Sequence, residues 1–529
     1  MGEGRRKHWG WGFEHEQPPP DEVRSTAAFL ASHLGFGSTE PEAPVPLSQL
    51  TLPPPRLTVP ARLAGMCATG DYDRAFHAYG SSYRDVVRAF RGQFDHPPDV
   101  VAHPADEGEI EAILEWALSA NAAVIPFGGG TSVVGGVEPA VDPQRFDGVV
   151  TIDLGRLDRV LEVDAPSLSA RIQAGANGPR LEEQLRGHDL TLRHFPQSFQ
   201  FATLGGMIAT RAGGHFATVY THIDDLVQSI RAITPAGVWE SRRLPGSGAG
   251  ISPDRMLIGS EGTLGLITEA WVRVRPRPRF RASAGVRFQT FEAGAAAVRA
   301  LSQSGLYPAN CRLIDPAEAE LMGTGHRGSH ALLVLGFESA AVEVTQRLDQ
   351  ALTCCADLGG AWDERREGAP DDSVGSWRDA FLRVPYLRDT LVAMGVISET
   401  FETAVTWDRY AALHDTVIER TTAAVREVCG AGSVTCRFTH VYPDGPAPYF
   451  TVLAPGRRGE ELEQWAHIKA AAADAILDAG GTITHHHAVG RDHRPWYDRQ
   501  RPEPFATALR AAKAALDPAG ALNPGVLVD

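Results

Sequence analysis

Pro126–Gly136 reads PFGGGTSVVGG. Three consecutive glycines let a backbone bend tightly and turn several N–H groups toward one ligand. Thr131 and Ser132 add hydroxyl donors. A pyrophosphate is the ligand such a loop suits. The run lacks the Gly-Lys-Ser/Thr of a P-loop and is not a G-x-G-x-x-G that opens a helix. Taken alone, it fits a plain glycine turn equally well, so its flanks must decide. Upstream, DVVAHPADEGEIEAILEWALSANAAVIPF (99–127) predicts a strand, a helix and a second strand that enters the loop. Ile110, Ile113, Leu114 and Ala117 recur at helical spacing, and Asp106 and Glu107 stand where a helix dipole favours acids. Downstream, VVTIDLGRL (149–157) and LSARIQAGA (168–176) predict strands, and GPRLEEQLRGHDL (178–190) a helix ending at Gly187. QSIRAITPAGVWE (228–240) predicts two strands around a Pro-Ala-Gly turn. The alternation runs to about Pro278 and describes one α+β domain, 76–278.

Two more loops of small residues follow in that domain. HFPQSFQFATLGGMIATRAGGH (194–215) carries Gly205-Gly206 and Thr210–Gly214, and IGSEGTLGLITEAWVRVRP (258–276) carries Gly259, Gly262 and Gly265 into a strand. Three such loops suit an extended dinucleotide wrapped by main-chain contacts.

The rest of the chain divides around this domain. Residues 1–75 predict a proline-punctuated extension with a short helix near Val23–Leu34. Trp9 and Trp11, in HWGWG, are expected to find a covering surface; a disordered end with exposed tryptophans is the alternative. RPRPRF (275–280) predicts a hinge into a second α+β domain, 279–480, with strands near 331–336 and 449–453. In ELEQWAHIKAAAADAILDAGG, Leu462, Trp465, Ile468, Ala472 and Ile476 share a helical face that ends at Gly480-Gly481. A closing segment, 481–529, holds a last helix with a Phe505, Leu509, Ala512 and Leu516 stripe.

Composition narrows the functional classes. The chain has 529 residues, 43% hydrophobic and 22% charged, with a net charge of −15. That is enough for two or more cores, and the acidic balance argues against broad nucleic-acid binding. Six cysteines without a C-x-x-C pair predict free thiols in a reducing compartment. MGEGRRKHWGWGFEHEQPPP has no apolar h-region, Arg6 breaks a myristoylation motif, and VLVD is not a peroxisomal address. No apolar run reaches the roughly 18 residues of a membrane span. A cytoplasmic location is the expectation.

The three loops in this order resemble the FAD-binding domain of the vanillyl-alcohol oxidase family. More narrowly, the chain is similar to that family's alkyldihydroxyacetonephosphate synthase branch. The same likeness extends to GWG near the start, TLGGMIATRAGG, GSEGTLGLITEA, SETFETAVTW (398–407), TCR before a YP-containing strand (436–443) and HHHAVG. It implies a PCMH-type FAD-binding domain, an α+β cap and a C-terminal helical segment that closes the site. It also implies FAD contacts from four stretches. These are Pro126, Phe127, Gly128, Gly129, Gly130, Thr131 and Ser132; Pro196, Gln197, Ser198, Phe199, Gln200, Phe201, Ala202 and Thr203; Thr210, Arg211, Ala212 and Gly213; and Glu261, Gly262, Thr263, Leu264, Gly265, Leu266 and Ile267. Some relatives tether FAD through a loop histidine. This glycine loop has none, so FAD is expected to be non-covalent. The family's phosphate-binding arginine matches Arg388 in YLRDT; its other face is a surface arginine paired with Asp389. The family's proton-transfer tyrosine is expected after the YF of YFTVLAPGRRG, at Gly456 or Arg457, and so is missing here. A second family arginine lacks a counterpart in LPGSGAGISPDR, where Arg255 is the nearest substitute.

TITHHH (482–487) reads as a strand after the helix-ending glycines. Alternation then puts His485 and His487 on one face and turns His486 away. Two imidazoles on one face suit zinc if a third ligand joins them. No acid or cysteine at suitable spacing supplies one, so no metal is expected. The resemblance instead places His485, His486 and His487 beside flavin and substrate, where a histidine donates to a phosphate or moves a proton. His493 is expected on the surface or in packing.

The implied activity is exchange of the acyl chain of acyl-dihydroxyacetone phosphate for a fatty alcohol, without net oxidation. The alternatives are a FAD-dependent oxidation of a 2-hydroxy acid or alcohol, and a flavin-binding protein without catalysis. Expected partners are a small-molecule or lipid substrate carrying a phosphate or carboxylate, and no nucleic acid. Peripheral membrane contact and homodimerisation are compatible with either enzyme.

Overall fold

The strands Val100–Ala102 and Ala122–Phe127 flank Gly148–Asp153, all parallel, with Cys67–Ala68 antiparallel at the edge. VVA, AAVIPF and GVVTID are nearly continuous apolar runs, as strands covered on both faces require. This computed structural model describes residues 4–529 apart from 217, 219–221, 322–329 and 364–383. The helix Glu107–Ser119 joins the two outer parallel strands. Asp106 caps it by accepting the Glu109 N–H at 2.9 Å, and it buries Ile110, Ile113, Leu114 and Ala117 as its spacing predicts. Ala122–Phe127 then delivers the chain to the glycine loop.

A five-stranded antiparallel sheet stands beside it, ordered Val160–Asp164, Ser169–Gln173, Leu266–Arg273, Val227–Thr234, Gly237–Glu240. The last two form the expected hairpin. Arg275–Pro276 pairs with Leu190–Thr191, and Phe280 opens the next sheet, so the expected hinge is tied down by strand pairing.

That next sheet has six antiparallel strands. Their order is Phe280–Phe288, Ala331–Ser339, Asn310–Ile314, Ser433–Val441, Pro446–Pro455, Val396–Glu402. Four helices, Phe291–Gln303, Thr345–Ala356, Trp407–Cys429 and Glu461–Asp478, share a core with one of its faces, through Cys311, Leu313, Phe401, Cys436, Phe438, Phe450 and Val452. Strand alternation sends the intervening residues to the opposite face. Arg312, Thr400, Tyr449 and, past the Phe438/His440 register shift, Thr439 and His440 are therefore turned to the FAD-binding side.

Both termini are built into the fold. Trp9 and Trp11 are buried, Trp9 against Phe90 and Trp11 against Phe201. The N-terminal helix runs Pro20–Leu34, three residues longer at its start than its pattern suggested, because Pro20 occupies the first turn where a missing N–H costs nothing. At the other end, Leu522 extends the parallel sheet beside Val124. The tail helix Glu503–Leu516 buries Ala506, Leu509 and Lys513. The expected stripe is thus corrected: Phe505 is 52% exposed. Lys513 takes the inner face because its ammonium is satisfied by Asp517 and the carbonyls of Thr263 and Leu522, at 2.7, 2.8 and 2.6 Å.

Candidate active site

A cleft of about 1380 Å³, its open mouth included, lies between the loops of the FAD-binding side and the polar face of the cap sheet. Gly128–Ser132, Pro196–Ser198, Thr203, Thr210 and Gly213 wall one side. Arg312, Arg388, Thr400, Thr439, His440, Tyr449, His486 and His487 wall the other, and Trp11 reaches in from the N-terminal segment. A second cavity of about 650 Å³ shares Gly128, Ser132, Thr203, Gly206 and Thr210 with it. It continues past Pro126 and Phe127 to Glu261, Gly262, Gly265, Ile267 and Asn523. The two cavities are therefore continuous along the loops.

The glycines are required by how closely the loops meet. A Cβ on Gly129 would stand 1.9 Å from the Phe201 carbonyl oxygen, and one on Gly128 would stand 2.3 Å from the Thr203 hydroxyl oxygen. Thr203 caps the short helix Leu204–Thr210, accepting the Gly206 N–H. In the third loop Glu261 adopts φ +50°, and its buried carboxylate accepts the N–H groups of Val489 and Gly490 at 2.9 and 2.8 Å. Burial pushes this carboxyl up to about 7 despite those donors. The loop is thereby fixed to the segment that follows the histidines.

Some residues expected to touch FAD are turned elsewhere. Phe199 packs against Phe195, Gln200 accepts from Trp11 Nε1 and the Tyr386 hydroxyl, and Phe201 lies under Trp11 and Arg6. Thr263, Leu264 and Leu266 are wholly buried below the third loop. Arg211 points out of the groove to Asp224, at 2.7 Å, and Arg255 joins it there at 3.0 Å. Neither arginine lines the cleft. These side chains are engaged by those partners and do not line the groove, while their backbones shape the loops.

The histidines are not on a strand. Residues 484–487 fold as a turn around the carboxylate of Glu402, which is fully buried. That carboxylate accepts the N–H groups of His485, His486 and His487 at 2.6, 3.0 and 2.9 Å, and the Thr484 hydroxyl at 2.7 Å. Burial pushes the carboxyl up, but the neighbouring imidazoles and Thr484 outweigh it and hold it below the usual carboxylate range. Wrapping three successive amides onto one acceptor breaks the alternation. His486 and His487 face the cleft, and His485 stands behind them, its Nε2 2.8 Å from the Tyr442 hydroxyl. The expected pairing of His485 with His487 is therefore corrected to His486 with His487. Burial lowers His485 to about 4 and His486 and His487 to about 3, so all three are neutral imidazoles at physiological pH. His493 is 1% exposed and packs, its Nδ1 2.9 Å from the Ala488 carbonyl oxygen.

Arg388 stands on the helix spanning 384–393, on the cleft wall, its Nη1 donating to the Ser81 carbonyl at 2.7 Å. Asp389 is committed elsewhere, to a buried pair with Lys7 and to the Trp11 N–H at 3.0 Å. Arg388 is therefore free of the surface pairing that was its alternative. The same contacts clamp the GWG segment against this helix.

Four residues escaped the sequence reading: Glu402, His440, Tyr449 and Arg312. Tyr449 corrects an expectation. Arg457, where a tyrosine seemed to be missing, is exposed and pairs with Glu460 at 2.7 Å. The tyrosine of the YF motif itself lines the cleft, with its ring 5.4 Å from His487 and beneath the Arg437 guanidinium. Arg312 is 2% exposed on the same wall; burial and Arg437 lower it to about 9, which still leaves it cationic near neutrality. The period-2 pattern of CRLI and PYFTV, read against the apolar partner strands, is the signal that marks both.

Residues 98–241 match the FAD binding domain family and residues 277–527 the C-terminal domain of FAD linked oxidases. Alkyldihydroxyacetonephosphate synthase of Trypanosoma brucei brucei is 31% identical over 485 residues, spanning 86% of this chain and 77% of that protein. The enzyme of the same name from Dictyostelium discoideum is 32% identical over 476 residues, with the same coverage. The chain belongs to the alkyldihydroxyacetonephosphate synthase family. A solved alkyldihydroxyacetonephosphate synthase superposes with a TM-score of 0.81 at 27% identity, covering 98% of both chains. The family cofactor, FAD, fits the residues present. Two continuous cavities follow the three loops, the part they share is walled by glycines and hydroxyls, and the cleft carries the polar residues of the cap.

Proposed function

We propose that this chain catalyses exchange of the acyl chain of acyl-dihydroxyacetone phosphate for a fatty alcohol. The observation that carries this is the cap wall. Arg388, Arg312, Tyr449, His486 and His487 converge on one cleft opposite the glycine loops. When bound, FAD supplies the electron-accepting centre that activates the substrate carbon. The protein holds the rest. Arg388 presents a permanent, fork-shaped cation suited to a phosphate, and Arg312 adds a second positive charge from a fully desolvated position. His486 and His487, being neutral, each offer one ring nitrogen that donates and one that accepts a hydrogen bond, so each can pass a proton on as it takes one up, and the Tyr449 ring stands beside His487. Trp11, fixed by Asp389, adds an apolar surface to the cleft wall. A lipid substrate implies peripheral contact with a membrane surface; among the described residues no helix is long and apolar enough to cross one.

The test is turnover of acyl-dihydroxyacetone phosphate with a fatty alcohol by the FAD-loaded protein. Ether product and free fatty acid in equal amounts support the proposal. Lasting flavin reduction by a 2-hydroxy acid, with no ether product, would replace it with a dehydrogenase.

A further inference from the structure

Ester-for-ether exchange makes a proton that has to leave. The alcohol O–H bond breaks as its oxygen bonds to the substrate carbon. The acyl carboxylate departs with the electron pair of the bond that held it. One proton is therefore left over in each turnover when the product acid is ionised. The histidines facing the cleft, His440, His486 and His487, stand in buried positions that disfavour the imidazolium, so none is a good place to store that proton.

His485 is the one member of the triplet with both ring nitrogens engaged by side chains. Its Nδ1 lies 2.9 Å from His486 Nδ1, and its Nε2 lies 2.8 Å from the Tyr442 hydroxyl. His486 lines the cleft. Tyr442 is half-buried and forms part of the wall of a separate pocket of about 1010 Å³, its mouth included, on the far side of the histidine turn. Thr406, Arg409, Asp444, Gly480 and Gln500 make up much of that pocket's remaining wall. A single line of three hydrogen-bonding groups thus runs from the cleft to a residue of the outer pocket's wall.

We propose that His486, His485 and Tyr442 form a proton relay from the catalytic cleft to this outer pocket. This rests on the exchange reaction proposed above. Two imidazole nitrogens at 2.9 Å share one proton. If His485 Nδ1 carries it, Nε2 accepts from Tyr442. If His486 Nδ1 carries it, Nε2 of His485 donates to the Tyr442 oxygen, which frees the hydroxyl hydrogen to point outward. Passing from the second state to the first, His486 Nε2 takes a proton from the cleft, the His486 Nδ1 proton moves to His485 Nδ1, the His485 Nε2 proton moves to the Tyr442 oxygen, and the Tyr442 hydroxyl gives up its own, so one proton leaves the cleft by tautomer exchange. No member ends as an imidazolium or a phenolate, which is the behaviour their burial demands. The fixed backbone is supplied by Glu402, which holds the amides of both histidines. His440 flanks the line but does not extend it: its Nε2 is 3.1 Å from the Gly214 carbonyl oxygen and its Nδ1 the same distance from the Thr439 hydroxyl. His440, His485 and His486 also bring ring nitrogens within 4.8 Å of one another. Those same partners occupy the nitrogens a cation would need, and this favours a proton path over a metal site.

The test uses the FAD-loaded full chain and Tyr442→Phe, which keeps the ring and removes the hydroxyl. The relay predicts a kcat lowered by about ten- to a hundredfold, within the range of lost proton-transfer assistance. It also predicts an unchanged KM for both substrates, unchanged flavin absorbance, and a larger solvent deuterium isotope effect on kcat. His485→Gln gives the same pattern, partly restored by added imidazole. A wild-type kcat and isotope effect in both variants would overturn the relay while leaving the exchange reaction standing. Absence of exchange in the unmodified protein would overturn both. A readout independent of turnover is ¹⁵N NMR of histidine-labelled protein. One proton shared between the two Nδ1 atoms, shifted by Tyr442→Phe, supports the relay, whereas protonation of both Nδ1 atoms in the resting protein contradicts it.

Discussion

The glycine loop at 126–136 and the histidine turn at 484–487 face each other across one cleft, yet they are specified in opposite ways. The loop is shaped by its own residues. Glycines meet a neighbouring backbone too closely for a side chain, and Ser132 accepts the Gly136 N–H at 2.9 Å within the same turn. The histidine turn is shaped by a residue some eighty positions away, the buried carboxylate of Glu402. A feature encoded locally can be read from a few letters. A feature imposed by a distant buried charge cannot, because the local letters are compatible with a strand.

The comparison can be broken at either end. The largest effect on cofactor binding is expected in the loop. In Gly129→Ala the new methyl meets the Phe201 carbonyl at 1.9 Å, so backbone has to move. Overpacking of this kind costs about 1–3 kcal/mol, and here it falls on the groove itself. The purified variant is expected to lose its flavin absorbance and to need at least about tenfold more FAD to regain it, by the same conversion.

At the other end, Glu402→Ala leaves three buried amides without their shared acceptor. The His487 N–H keeps the Thr484 hydroxyl at 3.1 Å, so with roughly 1–3 kcal/mol for each of the other two donors, urea unfolding should show a loss of at least about 2 kcal/mol, while isolated FAD affinity changes little. A loss as small as that of a surface substitution would mean that the turn holds its shape without Glu402.

Arg388→Lys keeps the charge and loses the fork. A drop of about tenfold or more in kcat/KM, mostly in KM for the phosphate substrate, is expected from the strength of charge-assisted bonds; an unchanged KM would remove Arg388 from substrate binding.

Acid should act on the turn before the loop. His485, His486 and His487 have folded values lowered to about 4, 3 and 3, beneath the unfolded value near 6.5. Their neutral-state contribution is complete above pH 6.5 and is lost as pH falls from there toward the folded values. Glu402, also lowered, adds a contribution complete above its unfolded range and lost at still lower pH. The turn's own contribution to stability should therefore be level above neutrality and fall progressively from about pH 6.5 downward. His485→Gln should flatten that slope.

Phe505→Ser is the smallest change. The side chain is half exposed and outside the tail helix's buried face, so a stability change within about 0.5 kcal/mol is expected.

Much of the architecture was legible because it is periodic. Ile110, Ile113, Leu114 and Ala117 face inward as their spacing requires, and the strand–loop–helix order around the three glycine loops follows their small residues. What failed shares one cause, a partner outside the short segment being read. The Phe505 stripe was displaced by one step because Lys513 finds Asp517 and two carbonyls inside. Arg211 looked like a loop contact, but Asp224 draws it out of the groove. Tyr449 was overlooked because its role depends on which face of a six-stranded sheet the helices cover, and no single strand records that. His486 was assigned to the wrong face because Glu402 is invisible from TITHHH.

The most direct measurement is anaerobic turnover of acyl-dihydroxyacetone phosphate with a fatty alcohol labelled with ¹⁸O at its hydroxyl, followed by mass spectrometry and the flavin spectrum. The cleft described here predicts an ether product that carries the label, one free fatty acid per ether formed, and a flavin that is oxidised again when the reaction ends. Unlabelled product, or flavin left reduced with no ether formed, would contradict it.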